Sequence, residues 1–278
     1  MSEPFDPSSF NVALKQSWSS VSEHYDRMSA ELFPPITSAF LSFIQLRPGQ
    51  LVLDVACGPG ALTQAVARAV GPSGRVVGVD LAPGMIKIAA SRAGERNLEY
   101  REMSAEELDL PDHLFNAVLC QLGLMLFARP EAALREMTRV VKKGGTVACL
   151  VQGSPDRMLF TSLLLKTMVR IAPELKQPGA PGLYSFAPVG VLDQAMAKAG
   201  LWQIVSSRMS GVFAFKSPDE YWDTLVDGGG RTGGMLRSLP EDKQRLVRAE
   251  VLALAEQYRV GSRLDIPYEV VMAKGLKA

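Results

Sequence analysis

The residues best suited to ligand chemistry follow the first buried run of the sequence, Leu51–Val55. Gly58 and Gly60 come next and let the backbone approach a ligand closely, while Asp54 places an acid at the same crevice. A dinucleotide site would carry a third glycine for the pattern GxGxxG, but Thr63 stands there, and an acid fits poorly beside a pyrophosphate. The pattern therefore predicts a ligand with an ammonium group, and a purely structural turn is the alternative.

A second acid, Asp80, ends the next buried run, VVGVD, 20 residues after Gly60. A carboxylate at the end of a second strand can accept hydrogen bonds from both vicinal hydroxyls of a ribose. The alternative is that Asp80 caps a helix beginning near Pro83, and both roles are compatible. Together the two acids predict a nucleoside that lies across two adjacent strand ends.

The elements that must position these acids alternate along the chain. Between residues 50 and 151, short β-branched runs alternate with helical patterns, which indicates right-handed βαβ units and a parallel sheet. The clearest helix is Pro130–Val141, and we expect Lys142, Lys143 and Gly144 to end it. The predicted strands are Leu51–Val55, Arg75–Val79, Leu98–Glu102, Asn116–Cys120, Thr146–Val151, Gln203–Phe215 and Leu264–Ala273.

Helices are predicted on either side of this alternating region. An apolar stripe from Leu14 to Met28, resumed after Pro34, predicts a helical unit at the start of the chain. We therefore expect an N-terminal helical lid, a cofactor-binding α/β core, and a third part with the rest of the sheet and the substrate pocket. These parts cover residues 1–48, 49–152 and 153–278, with helical insertions at 153–188 and 217–260.

Three segments resemble a known family. VLDVACGPG, VVGVDLAPGMI, and Phe127–Glu136 followed by Lys143–Gly145 are similar to class I S-adenosylmethionine-dependent methyltransferases, in particular the ubiquinone and menaquinone biosynthesis C-methyltransferases. The resemblance runs from about Leu51 to Val151, with a weaker match at Ser22–Asp26. It implies an α/β fold with a Rossmann-like, mostly parallel seven-stranded sheet, helices on both faces and a helical lid. It also implies S-adenosyl-L-methionine as the cofactor.

The resemblance implies that the loops after the first four strands hold this cofactor. The first loop takes the methionine part, the second the ribose and the third the adenine, while the fourth lies under the sulfonium. The family usually has Asp where this chain has Ser104, a departure that weakens the expected side-chain contact to the adenine amine, while the backbone N–H of Ala105 can still serve a ring nitrogen. Leu81 and Met85 are expected to flank the adenine. Tyr25 either closes over the sulfonium, with a cation–π energy of about 0.5 to 2 kcal/mol, or simply packs. The expected cofactor-binding residues are Tyr25, Asp54, Ala56, Gly58, Gly60, Asp80, Leu81, Met85, Ser104, Ala105, Glu106 and Gln121.

Methyl transfer from a sulfonium requires few catalytic side chains, because in-line positioning alone accounts for about 7 to 11 kcal/mol of the barrier. A base is required only if the acceptor must lose a proton. His24 is the candidate base, and Tyr184 is a second candidate catalytic residue that could line an acceptor pocket. Tyr221 and Trp222 are further candidates for that pocket, with core packing as the alternative, and His113 is expected at the surface.

Composition excludes several other classes. The 278 residues are 47% hydrophobic, and 30 Lys and Arg balance 29 Asp and Glu, so neither disorder nor a general attraction for nucleic acid is expected. DNA amino-methyltransferases carry a (D/N)PPY-type motif after the fourth strand, where this chain has Cys120–Gly123 instead. We predict no metal site, no nucleic-acid partner and no stable membrane insertion; the sequence does not indicate an oligomeric state.

The cysteines and the first residues of the chain predict the cellular location. Cys57, Cys120 and Cys149 are odd in number, have no CxxC spacing and lie in apolar runs, which is typical of a reducing compartment. Glu3 and Asp6 stand where a secretory signal would need a basic start, so we expect a cytoplasmic protein.

The predicted function is methyl transfer from S-adenosylmethionine, in line, to a small and largely apolar acceptor. Two alternatives stay open: an enzyme that binds the same cofactor for non-methyl chemistry, and a non-catalytic cofactor-binding protein. A nicotinamide-dependent oxidoreductase ranks last. The glycines at 228–230 and 233–234 are interpreted as a mobile gate or an ordinary loop.

Overall fold

The computed structural model describes residues 5–92, 97–176 and 179–278. Glu3, and residues 177–178 in the Pro/Gly-rich part of the predicted insertion, lie outside the described residues. The chain begins with helices α1 (Pro7–Ser20), α2 (Ser22–Leu32) and α3 (Pro34–Ile44). Asp6 caps α1 by accepting hydrogen bonds from the backbone N–H groups of Ser8 and Ser9.

The predicted alternation of strands and helices follows these helices and confirms the α/β fold class. The inner strands of this region are mostly buried, as expected for a sheet covered on both faces, whereas Leu98–Glu102 at the sheet edge has no buried residue. The elements are β1 (Leu51–Val55), α4 (Ala61–Val70), β2 (Arg75–Asp80), α5 (Pro83–Ser91), β3 (Leu98–Glu102), β4 (Phe115–Gln121), α6 (Pro130–Val140) and β5 (Val141–Gln152).

The remainder of the chain adds two long strands and a group of helices. They are α7 (Leu159–Ile171), α8 (Val191–Lys198), β6 (Leu201–Phe215), α9 (Pro218–Asp227), α10 (Gly230–Arg237), α11 (Glu241–Ala255), β7 (Arg259–Val260) and β8 (Arg263–Lys277). None of the described helices is long and apolar enough to cross a membrane.

The strands form one sheet in the order β3-β2-β1-β4-β5-β8-β6, and the two-residue β7 pairs with β8. The first five strands are parallel, and β8 runs antiparallel between β5 and β6. The chain order reverses between β1 and β4, where Leu53 pairs with Val77 on one side and with Val118 on the other. A crevice opens at the carboxyl ends of the strands at such a reversal, and ligands of open α/β sheets bind there.

Apolar side chains cover both faces of the sheet. On one face, Phe40 of α3, Val66 of α4 and Met168 of α7 belong to one buried cluster. On the other face, Met137 of α6 and Met196 of α8 belong to a second cluster. The N-terminal helix α3 therefore shares its core with the sheet.

The helical unit predicted at the start of the chain is present as three helices, with a break at Val21 where α1 ends and α2 begins. Two local predictions were wrong. Helix α6 ends at Val140, and Lys142, Lys143 and Gly144 lie in β5, because Val141 is already extended and pairs with Phe115. The glycines from 230 to 234 are helical, as part of α10.

Candidate functional site

A cavity of about 730 Å³, open mouth included, lies at the carboxyl ends of β1 to β4. We call it the strand-tip cavity. It contains ten of the twelve residues predicted to bind the cofactor, the exceptions being Asp54 and Gly60. Its lining residues are Asn11, Leu14, Lys15, Trp18, Tyr25, Ala56, Gly58, Asp80, Leu81, Ala82, Met85, Met103, Ser104, Ala105, Glu106, Gln121, Leu122, Gly123, Leu126 and Phe127.

Asp80 is one of two acids that line this cavity, the other being Glu106. Its two carboxylate oxygens accept hydrogen bonds from the backbone N–H groups of Gly58 (2.9 Å) and Ala82 (2.9 Å). Burial raises the pKa of Asp80, and the surrounding backbone N–H groups oppose that rise. Each oxygen keeps a lone pair, so the carboxylate can still accept two hydroxyl donors.

The two glycines of the β1 loop have different surroundings. Gly58 has a φ of +54°, and a Cβ placed on it would lie 3.6 Å from the Tyr25 ring, at the cavity wall. Gly60 has a φ of +89° and begins α4, and a Cβ there would lie 2.6 Å from the Tyr100 hydroxyl. Gly60 is therefore required for close packing of helix and strand, and it does not line the strand-tip cavity.

Asp54 lies in a side cavity of about 390 Å³ that shares Tyr25, Gly58 and Gln121 with the strand-tip cavity. Its side chain accepts a 2.7 Å hydrogen bond from the Thr63 hydroxyl. Burial raises the pKa of Asp54 to about 7, the Thr63 hydrogen bond opposes the rise, and the charge of Asp80 adds to it. The side chain of Gln121 donates to the Thr37 hydroxyl at 3.1 Å, while its own Oε1 is buried without a partner among the described residues.

The third loop is held by an ion pair. Glu106, which is 8% exposed, accepts 2.9 Å hydrogen bonds from the backbone N–H and from the side-chain Nε of Arg129. The Ser104 hydroxyl accepts a 3.2 Å hydrogen bond from the Glu106 N–H. The carboxylate of Glu106 thus anchors the segment before α6, and its backbone and that of Ala105 border the strand-tip cavity.

A second cavity of about 780 Å³, mouth included, adjoins the first, and we call it the apolar cavity. Trp18, Tyr25, Leu122 and Leu126 line both cavities and so form the wall between them. Within the described ranges, its lining contains no Asp, Glu, His or Cys. It is lined by Trp18, Tyr25, Met28, Phe33, Ile36, Leu122, Met125, Leu126, Gln152, Met158, Phe160, Thr161, Leu183, Phe213, Leu225, Gly228, Gly229, Arg231, Thr232 and Val270.

The residues predicted to act as catalysts do not reach this cavity. His24 is exposed on α2 and lines neither cavity, because successive helix residues point about 100° apart and Tyr25 takes the inward direction. Tyr184 lines neither cavity, and its hydroxyl hydrogen-bonds with that of Thr161 at 2.8 Å. Tyr221 is fully buried and donates to the carbonyl of Phe160, and Trp222 also packs in the core.

Trp18, Leu122 and Arg231 are among the lining residues for which the sequence predicts no site role. Trp18 packs edge-on against Tyr25, with 5.1 Å between ring centroids. Leu122, directly after β4, has a left-handed φ of +58° that turns it into the wall. Arg231 reaches the apolar cavity from α10. A left-handed residue after the fourth strand and a helix stripe shared by Trp18 and Tyr25 are weak signals in a single sequence.

The donor and acceptor groups of these cavities fit S-adenosylmethionine. The lone pairs of Asp80 suit two ribose hydroxyls, and the unpartnered Gln121 Oε1 together with Asp54 suits an ammonium group. Tyr25 covers the position between them, where a sulfonium would meet an aromatic ring.

Comparison with known proteins agrees with this fit. Residues 53–149 match the family model described as a methyltransferase domain. The demethylmenaquinone methyltransferase of Bacillus cytotoxicus is 33% identical over 160 residues, which are 55% of this chain and 68% of that protein. The chain belongs to the class I S-adenosylmethionine-dependent methyltransferases.

Within that class, the chain is similar to the quinone C-methyltransferase branch. The ubiquinone/menaquinone biosynthesis C-methyltransferase of Ectopseudomonas mendocina is 36% identical over 152 residues, 52% of this chain and 59% of that protein. The similarity to these relatives thus spans about three fifths to two thirds of their length. A structure of phosphoethanolamine N-methyltransferase 2 from Haemonchus contortus shares the fold, with a TM-score of 0.63, 16% identity, and coverage of 96% of this chain and 60% of that chain.

Proposed function

We propose that this protein transfers a methyl group from S-adenosylmethionine to a small, largely apolar acceptor. The observation that carries the proposal is the pairing of two cavities across one wall. The strand-tip cavity holds a buried carboxylate suited to a ribose, and the apolar cavity begins on the other side of Tyr25. A methyl donor and an apolar acceptor would meet at that wall.

Each cavity residue has a proposed binding role. Asp80 accepts the ribose hydroxyls, Gln121 and Asp54 accept hydrogen bonds from the ammonium group, and Leu81 and Met85 border the adenine. The backbone N–H of Ala105 is the proposed adenine contact, since Ser104 is engaged with Glu106. When bound, S-adenosylmethionine supplies a methyl group that its sulfonium has already activated.

The chain's own contribution to catalysis is positioning and exclusion of water. The apolar wall orients the acceptor and keeps bulk water away, which accounts for much of the rate enhancement expected from proximity. Because the described lining of the apolar cavity has no carboxylate or histidine, we propose no side-chain base. The acceptor then has to carry a nucleophile that is already ionised or that passes its proton to solvent.

The names of the relatives favour an acceptor of the quinol type, since both act in quinone biosynthesis by name. The apolar lining, which includes Phe33, Phe160 and Phe213, suits an aromatic ring. A cytoplasmic location remains a proposal, supported by three buried cysteines that form no disulfide.

The test is titration followed by product analysis. Calorimetry with S-adenosylmethionine and, separately, with NADPH should give heat only for the first. Mass spectrometry with a panel of hydroquinones should then detect S-adenosylhomocysteine together with a product heavier by one methylene. NADPH binding without S-adenosylmethionine binding would refute the proposal.

The two alternatives give different products. Turnover of an acceptor without S-adenosylhomocysteine would indicate non-methyl chemistry on the same fold. Tight binding of S-adenosylmethionine with no product from any acceptor would favour a non-catalytic binding protein.

A further inference from the structure

The glycines from 228 to 234 allow unusually close packing around the start of α10. A Cβ on Gly230 would lie 2.7 Å from the Trp18 ring. A Cβ on Gly229 would lie 2.3 Å from the Leu225 carbonyl oxygen, and one on Gly233 would lie 2.2 Å from that of Val226. No side chain fits at these distances, so the glycines press α10 against α9 and against Trp18 of the cavity wall.

The consequence of this packing is the position of Arg231. Its side chain lines the apolar cavity and also an adjoining cavity, which Phe10 borders too. The guanidinium lies over the Phe10 ring, 4.9 Å from the centroid. The glycines therefore place a half-buried cation where the apolar cavity meets the adjoining cavity.

Arg231 is the one charged residue in the described lining of the apolar cavity, and no carboxylate among the described residues pairs with it. Burial lowers the pKa of Arg231, and no charge compensates for that burial. An unpaired cation in an apolar wall is costly because its charge is partly removed from water, and an anionic ligand would supply the missing counter-charge.

Some polar groups of this cavity are engaged with protein atoms. The Thr161 hydroxyl donates to Gln152 Oε1 at 2.7 Å and hydrogen-bonds with the Tyr184 hydroxyl at 2.8 Å. The other polar lining residues, Trp18, Tyr25 and Thr232, are uncharged, so Arg231 is the one charged group of the described lining that can bind a polar part of the ligand. A guanidinium presents two parallel donors, which match two oxygens of a planar acid.

We propose that Arg231 binds an ionised oxygen group, a carboxylate or a phenolate, on the acceptor inside the apolar cavity. The proposal rests on the proposed function in that it names the acceptor's class: an aromatic or otherwise apolar body that carries an anion. Arg231 then determines acceptor specificity and sets the orientation of the acceptor towards the Tyr25 wall.

The test is binding of matched probes by calorimetry, without any methyl transfer. The probes are 1-naphthoate, its neutral amide 1-naphthamide, and 4-nitrophenolate against 4-nitroanisole. The full-length protein should bind at least one anion about tenfold or more tightly than its neutral partner, as expected for a charge-assisted hydrogen bond. Arg231→Gln should reduce that preference to less than about twofold, and Arg231→Lys should retain part of it. Which anion is preferred distinguishes a carboxylate acceptor from a phenolate.

Arg245→Gln is the matched control, because Arg245 is an exposed arginine of α11 that lines neither the apolar cavity nor the adjoining cavity. It should leave the preference unchanged. Equal affinity for both members of each probe pair in the unmodified protein, a preference that survives in Arg231→Gln, or no binding of any probe would overturn the proposal. S-adenosylmethionine titrations of the same samples test the proposed function separately, since Arg231 does not line the strand-tip cavity.

Discussion

The two cavities on either side of Tyr25 have opposite charge. The strand-tip cavity is lined by Asp80, Glu106 and Lys15 and its side cavity by Asp54, so acids outnumber the one base, whereas the apolar cavity has Arg231 as its charged residue among those described. A cationic ligand is therefore favoured on one side of the wall and an anionic ligand on the other. This arrangement suits a reaction in which a sulfonium gives its methyl group to an electron-rich acceptor.

The construction of the two cavities also differs. Carboxyl ends of adjacent parallel strands form the strand-tip cavity, so hydrogen-bonded sheet registers fix its geometry. Side chains from several helices, among them α1, α2, α7, α9 and α10, line the apolar cavity together with loop and strand residues, and packing alone sets its shape. We expect the first cavity to respond to single polar changes and the second to respond to changes in volume or in its one charge.

The largest effect should come from the pH dependence of Asp54. Burial raises its pKa to about 7, so the folded state holds this proton more tightly than the unfolded chain between about pH 4 and pH 7. The contribution of Asp54 to stability is therefore greatest at the acid end of this window and is lost as pH rises through about 7. Relative to Asp54→Asn, the free energy of unfolding should fall by a few kcal/mol across the window, on the order expected for a shift of this size. Urea denaturation of both proteins at several pH values measures it, and parallel curves would contradict the raised pKa.

Asp80→Ala should affect only the strand-tip cavity. Removing the ribose acceptor should weaken S-adenosylmethionine binding by about 1 to 3 kcal/mol, or roughly 5-fold to 150-fold. Because Asp80 also accepts from Gly58 and Ala82, Asp80→Asn is the control that keeps the size of the side chain and one carbonyl oxygen. Calorimetry should show weaker cofactor binding in both variants and unchanged binding of the preferred anionic probe. An unaltered cofactor dissociation constant in folded Asp80→Ala would exclude the ribose role.

The two glycines of the β1 loop separate packing from binding. Gly60→Ala should lower the free energy of unfolding by about 1 to 2 kcal/mol for its left-handed φ, with a further loss from the contact with Tyr100. Tyr100→Phe should recover part of that further loss, since the buried Tyr100 hydroxyl has no partner among the described residues. Compared with Gly60→Ala, Gly58→Ala should lower the free energy of unfolding less and the cofactor affinity more, because its Cβ would enter the strand-tip cavity. Thermal unfolding and calorimetry of the three variants measure both effects, and equal behaviour of the two glycine variants would contradict this division.

These differences explain how much the sequence could predict. The fold class and the strand-tip residues follow from local patterns, because a strand end and the loop after it are adjacent in sequence; Asp80 is the clearest case. Local patterns could not predict the packing role of Gly60, because its main contact is with Tyr100, 40 residues away. Arg231 could not be found in this way, because its role depends on the packing of α10 against α9 and Trp18, which no local spacing records. The residues that line the apolar cavity are spread along the chain from Trp18 to Val270, so only tertiary packing brings them together.

The smallest expected effect is that of His24→Ala. A histidine one position before Tyr25 is a reasonable candidate base from sequence, yet its exposed position on α2 leaves it outside both cavities. Exposed substitutions without specific contacts usually change stability by less than about 0.5 kcal/mol, and we expect the same here. The pH profile of S-adenosylhomocysteine release should also be unchanged. Because Arg231 is proposed to bind the acceptor in its ionised form, no side-chain base is required. If the pH profile of His24→Ala lost its acidic limb, a proton would have to leave through His24 on α2. The opposite charges on the two sides of Tyr25 would then not be sufficient for the reaction.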